Sequence, residues 1–130
     1  MLRECLEKAK EVLKKNATKR GIIAGGEYYR DIWGRDGFIT ALGMSSSDDE
    51  SLVKLSELTI DTLAKFQKPN GQIPNKIPIK GEKTCFGEGG CVDASLWYPV
   101  AVLNHYLNTE DKRFLKKHAK KVEKSVAWAG

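Results

Sequence analysis

The chain has 130 residues and a formal net charge of +5, and 41% of its residues are hydrophobic while 30% are charged. A chain of this length and composition can bury a hydrophobic core without disulfides, so intrinsic disorder is not expected. Because no run of about 18 apolar residues occurs, no membrane partner is expected either. The three cysteines show no repeating spacing and only two histidines are present, so the sequence predicts reduced thiols, no metal site and no cofactor.

The positive charge lies at the two ends of the chain. Residues 1–20 carry seven Lys/Arg against three Glu, residues 111–124 carry seven against two acidic residues, and the middle is net negative. In 111–124 the cations share one half of a helix and the apolar residues the other, which is typical of a solvated outer face. No nucleic acid partner is therefore expected, and a basic helical module that binds an acidic partner is kept as an alternative. The charged, amphipathic N-terminus lacks the features of a signal peptide, which favours a cytoplasmic location.

Hydrophobic periodicity predicts helices throughout the chain, and in chain order they cover residues 2–15, 36–44, 49–67, 93–107 and 111 onward. Two long loops between them, 16–35 and 68–92, hold most of the glycines and prolines. Each long loop precedes a helix that a short link joins to the next one. This alternation predicts stacked helical hairpins in one all-α domain spanning 1–130, with both long loops at the same end.

The loop-to-helix junction within residues 28–44 carries the densest group of candidate binding residues. Two Arg-Asp pairs and three aromatic rings occur within nine residues, and a helical apolar pattern follows, so Asp36 is predicted to be the helix N-cap. Trp33, Arg35 and Asp36 combine a flat ring, a five-donor fork and a carboxylate acceptor, which suits a polyhydroxylated sugar ring. The alternative is structural: an Arg-Asp ion pair that fixes the helix start under an aromatic lid.

Three motifs occur in order along the chain: Trp-Gly-Arg-Asp-Gly-Phe (33–38), Asn-Gly-Gln-Ile-Pro-Asn (70–75) and Val-Asp-Ala-Ser-Leu-Trp-Tyr (92–98). Their order, and their spacing of one helical hairpin each, resemble the amylo-α-1,6-glucosidase part of glycogen debranching enzymes and, more loosely, the wider six-hairpin glycosidases. The resemblance covers residues 20–108. It implies an (α/α)6 barrel in which the sugar binds at the end where the long loops meet.

The resemblance also implies roles for individual residues. Trp33, Arg35 and Asp36 resemble the subsite that grips a terminal glucose, and the loop ending at Asn75 resembles the one that closes over an edge of that pocket. Asp93 resembles the general acid of several of these families, while its residue type and place also suit a plain helix N-cap. A general acid would need partial burial away from cations to hold its proton. We expect Trp33, Arg35, Asp36 and Asp93 to share one concave surface, with Arg35 partly buried and hydrogen-bonded.

The chain is far shorter than a complete barrel, since the five predicted helices form fewer than three of the six hairpins. An inverting glycosidase needs a general base opposite its acid, and no segment carries the motif of that second carboxylate. Glu88, in the glycine-rich loop, is more typical of an ordinary acidic loop tip than of a base. The implied activity is hydrolysis of α-glucosidic bonds, above all the α-1,6 branch of a glycogen-like glucan. The alternative is a non-catalytic carbohydrate-binding or truncated module.

A partial barrel leaves apolar faces uncovered, and exposed apolar surface tends to find a partner. Besides an α-glucan or oligosaccharide, we therefore expect self-association or contact with the remainder of the barrel. Trp128 and the apolar side of residues 114–126 are the surfaces expected to be buried against another chain.

Overall fold

A computed structural model of the chain describes residues 1–80, 83–87 and 91–130. Over these residues it contains five helices: α1 (Leu2–Lys15), α2 (Gly34–Ser45), α3 (Glu50–Lys65), α4 (Asp93–Thr109) and α5 (Lys112–Ala129). The all-α fold class is confirmed, and each helix lies within a few residues of its predicted position. Glu88 lies outside the described residues. Within the described ranges, no helix is both long and apolar enough to cross a membrane.

Four two-residue strands accompany the helices in the described part of the chain: β1 (Ala17–Thr18), β2 (Gly21–Ile22), β3 (Ile32–Trp33) and β4 (Lys76–Ile77). β1 pairs with β2, while β3 pairs antiparallel with β4 and so joins the loop before α2 to the loop before α4. The prediction that the two long loops lie together is confirmed. The strands were not predicted, because two residues are too few to show the alternation by which a strand is detected.

α2 begins two residues earlier than predicted. Its first residue is Gly34 and its N-cap is Trp33, so Asp36 lies inside the first turn and the prediction of Asp36 as N-cap was wrong. The reason is close packing: the Gly34 N–H donates to Asn75 O at 2.9 Å, and a Cβ at Gly34 would lie 2.5 Å from Pro74 O. Only glycine lets the helix begin against this backbone.

The start of α4 also differs from the N-cap interpretation. Asp93 is the first helical residue, the N-cap is Val92, and the Asp93 Oδ1 accepts a hydrogen bond from the adjacent Ala94 N–H at 2.8 Å. A capping side chain would instead reach the N–H of the second or third helical residue, as Asp49 and Asp111 do at α3 and α5. The interpretation of Asp93 as a plain N-cap was therefore wrong, and its side chain stays 38% exposed.

The core forms where α2 packs against both α3 and α4, and α5 packs against α4. Phe38 of α2 and Tyr98 of α4 are fully buried, and their rings stack with centroids 5.5 Å apart. Ile32 of β3 and Ile77 of β4 are buried in the same cluster. The strand pair is thus part of the core, so apolar packing fixes the two long loops to the helices.

Two histidines lie inside the helical layer, and polar side chains bind each of them. The Nδ1 of His118 in α5 lies 2.6 Å from the Tyr98 hydroxyl, and its Nε2 lies 2.7 Å from an Asp61 carboxylate oxygen. The Nδ1 of His105 in α4 lies 2.9 Å from each of two serine hydroxyls. These contacts satisfy polar atoms that would otherwise be buried without a partner. The sequence had indicated no role for either histidine.

The apolar side chains of α4 fall on two faces, and only one of them is packed. The other face is exposed and is formed by Leu96, Val100, Leu103 and Leu107. On α5, by contrast, Phe114 is buried within the chain and Trp128 is half-buried. The expectation that the apolar side of α5 is covered by another chain was wrong for Phe114, and a contiguous uncovered apolar stripe lies on α4 instead.

The second long loop contacts α5 at Gly71. Substitutions at Gly71 and at Gly43, which has free space around it, form a matched pair that tests this contact. A Cβ at Gly43 in α2 would meet nothing within 4 Å, so Gly43→Ala should raise the free energy of unfolding by about 0.5–1 kcal/mol. Gly71 has φ +104° and a Cβ there would collide with the carbonyl group of Lys124 in α5, so Gly71→Ala should lower it by about 3 kcal/mol. Urea unfolding of both variants measures the two changes. Equal midpoints would contradict the contact between the second loop and α5.

His105 gives the fold a predictable dependence on pH. Burial lowers the pKa of His105, so the unfolded chain takes up this proton at a higher pH than the folded chain does. The stability contributed by the neutral imidazole is therefore complete above the ordinary pKa of 6.5 and decreases as the pH falls below it. The free energy of unfolding should fall more steeply toward acid pH for the parent than for His105→Gln. Parallel curves would contradict a buried neutral imidazole.

Candidate functional site

Three stretches that are far apart in the sequence meet at Gly34. Its N–H donates to Asn75 O at 2.9 Å, and a Cβ added to it would lie 2.7 Å from the Cβ of Ala94. The Ile73 N–H also donates to the buried Ser95 hydroxyl at 3.0 Å. The three motifs that carry the family resemblance therefore converge on one place in the fold.

An open cavity of about 480 Å³ lies beside the start of α2. Its lining comes from the loop before α2 and from the first two turns of α2, and consists of Ala24, Tyr29, Trp33, Arg35, Asp36, Ile39 and Thr40. The structure thus brings three of the predicted site residues, Trp33, Arg35 and Asp36, into one cavity. Asp93 and Asn75 lie next to this group rather than in the lining.

The first turns of α2 give the cavity its mixed chemistry. Asp36 lies in the first turn, where the partial positive charge of the helix N-terminus stabilises a carboxylate. Ile39 lies one turn beyond Arg35, and Thr40 one turn beyond Asp36, so each pair shares a face of the helix. The lining therefore offers one cation, one anion, the hydroxyl groups of Tyr29 and Thr40, and apolar surface, and the positive and negative charges are equal in number.

Arg35 reaches Asp93 across the junction between α2 and α4. The Arg35 Nη1 lies 3.4 Å from the Asp93 Oδ2, and the two side chains are 57% and 38% exposed. The expectation that Arg35 would be partly buried was wrong, and in this structure Asp93 lacks the separation from cations that a general acid would need. An exposed ion pair contributes little to stability, so a ligand can replace either partner at small cost.

Asn75 takes part in the site through its backbone. Its O accepts from the Gly34 N–H, and its N–H donates to Cys85 O, both at 2.9 Å. The residue directly precedes β4, so the bond with Gly34 holds the second loop against the start of α2, while the bond with Cys85 lies within that loop. The role of the Asn75 side chain as a sugar ligand stays a prediction.

Trp33 contacts two side chains, those of Lys76 and Tyr29, that were not among the predicted site residues. Lys76, opposite Trp33 in the strand pair, places its Nζ 5.6 Å from the centre of the indole ring and 3.3 Å from the Asp31 Oδ2. The Tyr29 ring lies 6.2 Å from the Trp33 ring at an angle of 71°. Tyr29 is one of the three aromatic residues within 28–36, whereas nothing in the sequence indicated a role for Lys76.

The basic side of α5 is partly used for packing. The Lys117 Nζ lies 2.7 Å from the Asp61 Oδ2, and the Lys121 Nζ donates to Ala64 O at 3.0 Å. Both contacts fasten α5 to α3. The sequence predicted a solvated outer face for this side of α5, and these two lysines instead bind groups of α3.

A family model described as amylo-alpha-1,6-glucosidase matches residues 7–128. No individual curated protein matches the chain. The family match spans nearly the whole chain and includes all three motifs that meet at Gly34. The chain therefore belongs to the amylo-α-1,6-glucosidase family.

Proposed function

We propose that the cavity at the start of α2 binds the terminal glucosyl unit of an α-glucan, and that the α-1,6 branch of a glycogen-like glucan is the target of this glycoside hydrolase-like domain. One observation carries the proposal: Trp33, Arg35 and Asp36 line a single open cavity of about 480 Å³ in a chain of this family. A cavity of this size suits a small ligand.

The chemistry of the lining supports a neutral, hydroxylated ligand. The guanidinium of Arg35 can donate two parallel hydrogen bonds, and the carboxylate of Asp36 can accept from adjacent hydroxyls. Because the two charges balance within the cavity, an anionic ligand gains no net attraction from them. A sugar ring has hydroxyl groups around its edge and C–H groups on its faces, and both kinds of partner are present.

Asp93 is the proposed proton donor. It lies at the rim of the site, where Arg35 contacts it at 3.4 Å. A glucosyl unit that binds Arg35 would draw the guanidinium away from Asp93 and leave the carboxyl group facing the glycosidic oxygen. A non-catalytic carbohydrate-binding module would share the cavity but would not need Asp93.

We also propose an architecture and a cellular location for the chain. We take the chain as one domain that corresponds to part of an (α/α)6 barrel. The uncovered stripe on α4 formed by Leu96, Val100, Leu103 and Leu107 supports contact with a further apolar surface, through self-association or the remainder of the barrel. A cytoplasmic location stays a prediction.

Arg35→Ala tests sugar recognition. Because a hydrogen bond to a charged group is worth about 1.5–3 kcal/mol, the variant should bind maltose at least tenfold more weakly than the parent in titration calorimetry. Its urea midpoint should stay close to that of the parent, since the Arg35–Asp93 pair is exposed. Arg113→Ala, at the start of α5, is the matched control and should bind maltose like the parent. Equal affinity of Arg35→Ala and the parent would indicate that the Arg35–Asp93 pair has only a structural role.

A second test concerns activity. A positioned general acid contributes about 10²–10⁴-fold, but inversion also needs a base, and we assign no base among the described residues. The purified chain should therefore release little glucose from a branched dextrin. Rapid release that is lost in Asp93→Asn but kept in Asp48→Asn would contradict this and show that a base is present.

A further inference from the structure

We infer that a cavity between α3 and α5 is a second binding site, and that it takes a phosphate group, either free or as a monoester of a small molecule. The sequence left open a basic module that binds an acidic partner, and the inference narrows that partner to one functional group. Neither the three motifs nor the family match assigns a role to this cavity. The inference does not depend on the proposed function.

The cavity between α3 and α5 has a volume of about 280 Å³. Its lining comes from the last turns of α3 and from the middle of α5, and three of the lining residues are lysines, namely Lys65, Lys117 and Lys121. It shares no lining residue with the larger cavity at the start of α2. Its volume lies near the lower end of the range for small-molecule pockets, so it suits a compact ligand.

The charged groups of the lining give an excess of positive charge. Lys65 lies one turn after Asp61 on α3, and Lys117 and Lys121 lie one turn apart on α5, so cations come from both helices. Within the described lining, these three lysines stand against one carboxylate, that of Asp61. Glu57, one turn before Asp61, does not line the cavity. An anion in the cavity is therefore attracted.

The Asp61 carboxylate is already bound on both of its oxygens. Its Oδ1 lies 2.7 Å from the His118 Nε2, and its Oδ2 lies 2.7 Å from the Lys117 Nζ. An ammonium group has three donors, and Lys117 uses one of them on Asp61 while Lys121 uses one on Ala64 O at 3.0 Å. Donors therefore remain on both lysines of α5 for a ligand with several acceptor oxygens.

Buried residues back the cavity and keep its shape fixed. His118 and Ala64 line it and are each 1% exposed. The His118 ring is held on both sides, by Asp61 at Nε2 and by the Tyr98 hydroxyl 2.6 Å from Nδ1. Charges interact more strongly beside such a buried wall than in open water, and a wall that is already ordered adds little entropic cost to binding.

A phosphate group fits these features better than a carboxylate does. Lysine ammonium groups bind phosphate as point charges. A phosphate monoester carries a charge of about −1.5 to −2 at pH 7, which matches the excess of three lysines over one aspartate, whereas a carboxylate carries one charge and leaves part of the excess uncompensated. The Thr62 hydroxyl, also in the lining, can donate one further hydrogen bond to a phosphate oxygen.

Lysines inside and outside the cavity form a matched set for the test. Lys65→Gln and Lys117→Gln change the lining, while Lys116→Gln and Lys120→Gln remove exposed charges of α5 that do not line the cavity. Inorganic phosphate, glycerol 3-phosphate, acetate and glycerol are titrated into the nitrogen-15-labelled full chain at low salt, where screening is weak. Circular dichroism and urea midpoints establish that each variant is folded, and Lys65, which is exposed on α3, keeps the test independent of the Lys117–Asp61 contact.

We expect both phosphate compounds to cause saturable amide shifts in residues 61–65 and 117–121, and glycerol to cause none. Acetate should bind at least about tenfold more weakly than phosphate, because its single charge gains less from the lysines. Each cavity variant should weaken phosphate binding by about tenfold, the order of magnitude of one charge contact near the surface. Lys116→Gln and Lys120→Gln should stay within about twofold of the parent.

The comparison of the two phosphate compounds identifies the source of the group. Tighter binding of glycerol 3-phosphate would assign a monoester, tighter binding of inorganic phosphate would assign the free ion, and equal binding would assign the phosphate group alone. Absence of saturable shifts, equal losses for all four lysine variants, or acetate binding as tight as that of phosphate would overturn the inference. Each of these three results would leave the proposed sugar site standing, because the two cavities share no lining residue.

Discussion

The site depends on one close approach, that of Gly34 to the backbone before β4. A side chain at this position would meet Pro74 O at 2.5 Å and the Ala94 Cβ at 2.7 Å, so any other residue would push the two loops or α4 away. Because Gly34 is also the first residue of α2, this contact sets where the helix begins. Arg35 and Asp36 follow immediately, and their place in the cavity is a consequence of that start.

The scaffold behind the cavity is fixed, whereas the groups that face a ligand are not. Ile32 and Ile77 of the strand pair are buried in the same core as Phe38 and Tyr98. In contrast, Arg35 is 57% exposed in its side chain and Tyr29 is 60% exposed. A ligand can therefore rearrange the guanidinium and its contact with Asp93 without disturbing the core. Binding residues carried at the edge of a rigid scaffold are a common arrangement.

Much of the fold could be predicted from the sequence, because α1, α3 and α5 follow a clear apolar period and α2 and α4 are apolar segments that follow long loops. The details at the site could not. Asp36 and Asp93 both matched the pattern of an N-cap. In the structure α2 begins earlier, at Gly34, where the close backbone contact requires a glycine. Asp93 is the first residue of α4 rather than its N-cap. Local sequence signals record preference for a helix end but not the packing of distant backbone against it. The Arg35–Asp93 contact joins residues 58 positions apart and had no local signal.

Periodicity also failed to distinguish the two apolar faces of α4. The pattern Leu96, Val100, Leu103 and Leu107 has helical spacing, but these side chains are exposed while Tyr98 and Ala101 are buried. Both faces are apolar, so hydropathy alone gives no preference for the one that packs. The cation–π contact of Lys76 with Trp33 depended on the β3–β4 register, and strands of two residues leave no pattern from which a register can be read.

We propose that three separated motifs build one sugar site around Gly34. Titration of a nitrogen-15-labelled chain with maltose, followed by amide NMR shifts, tests it most directly. We expect shifts that saturate together in residues 29–40, in 73–76 and in 93–96, with little change along α5. Shifts confined to one of these stretches, or concentrated between α3 and α5, would contradict a shared site.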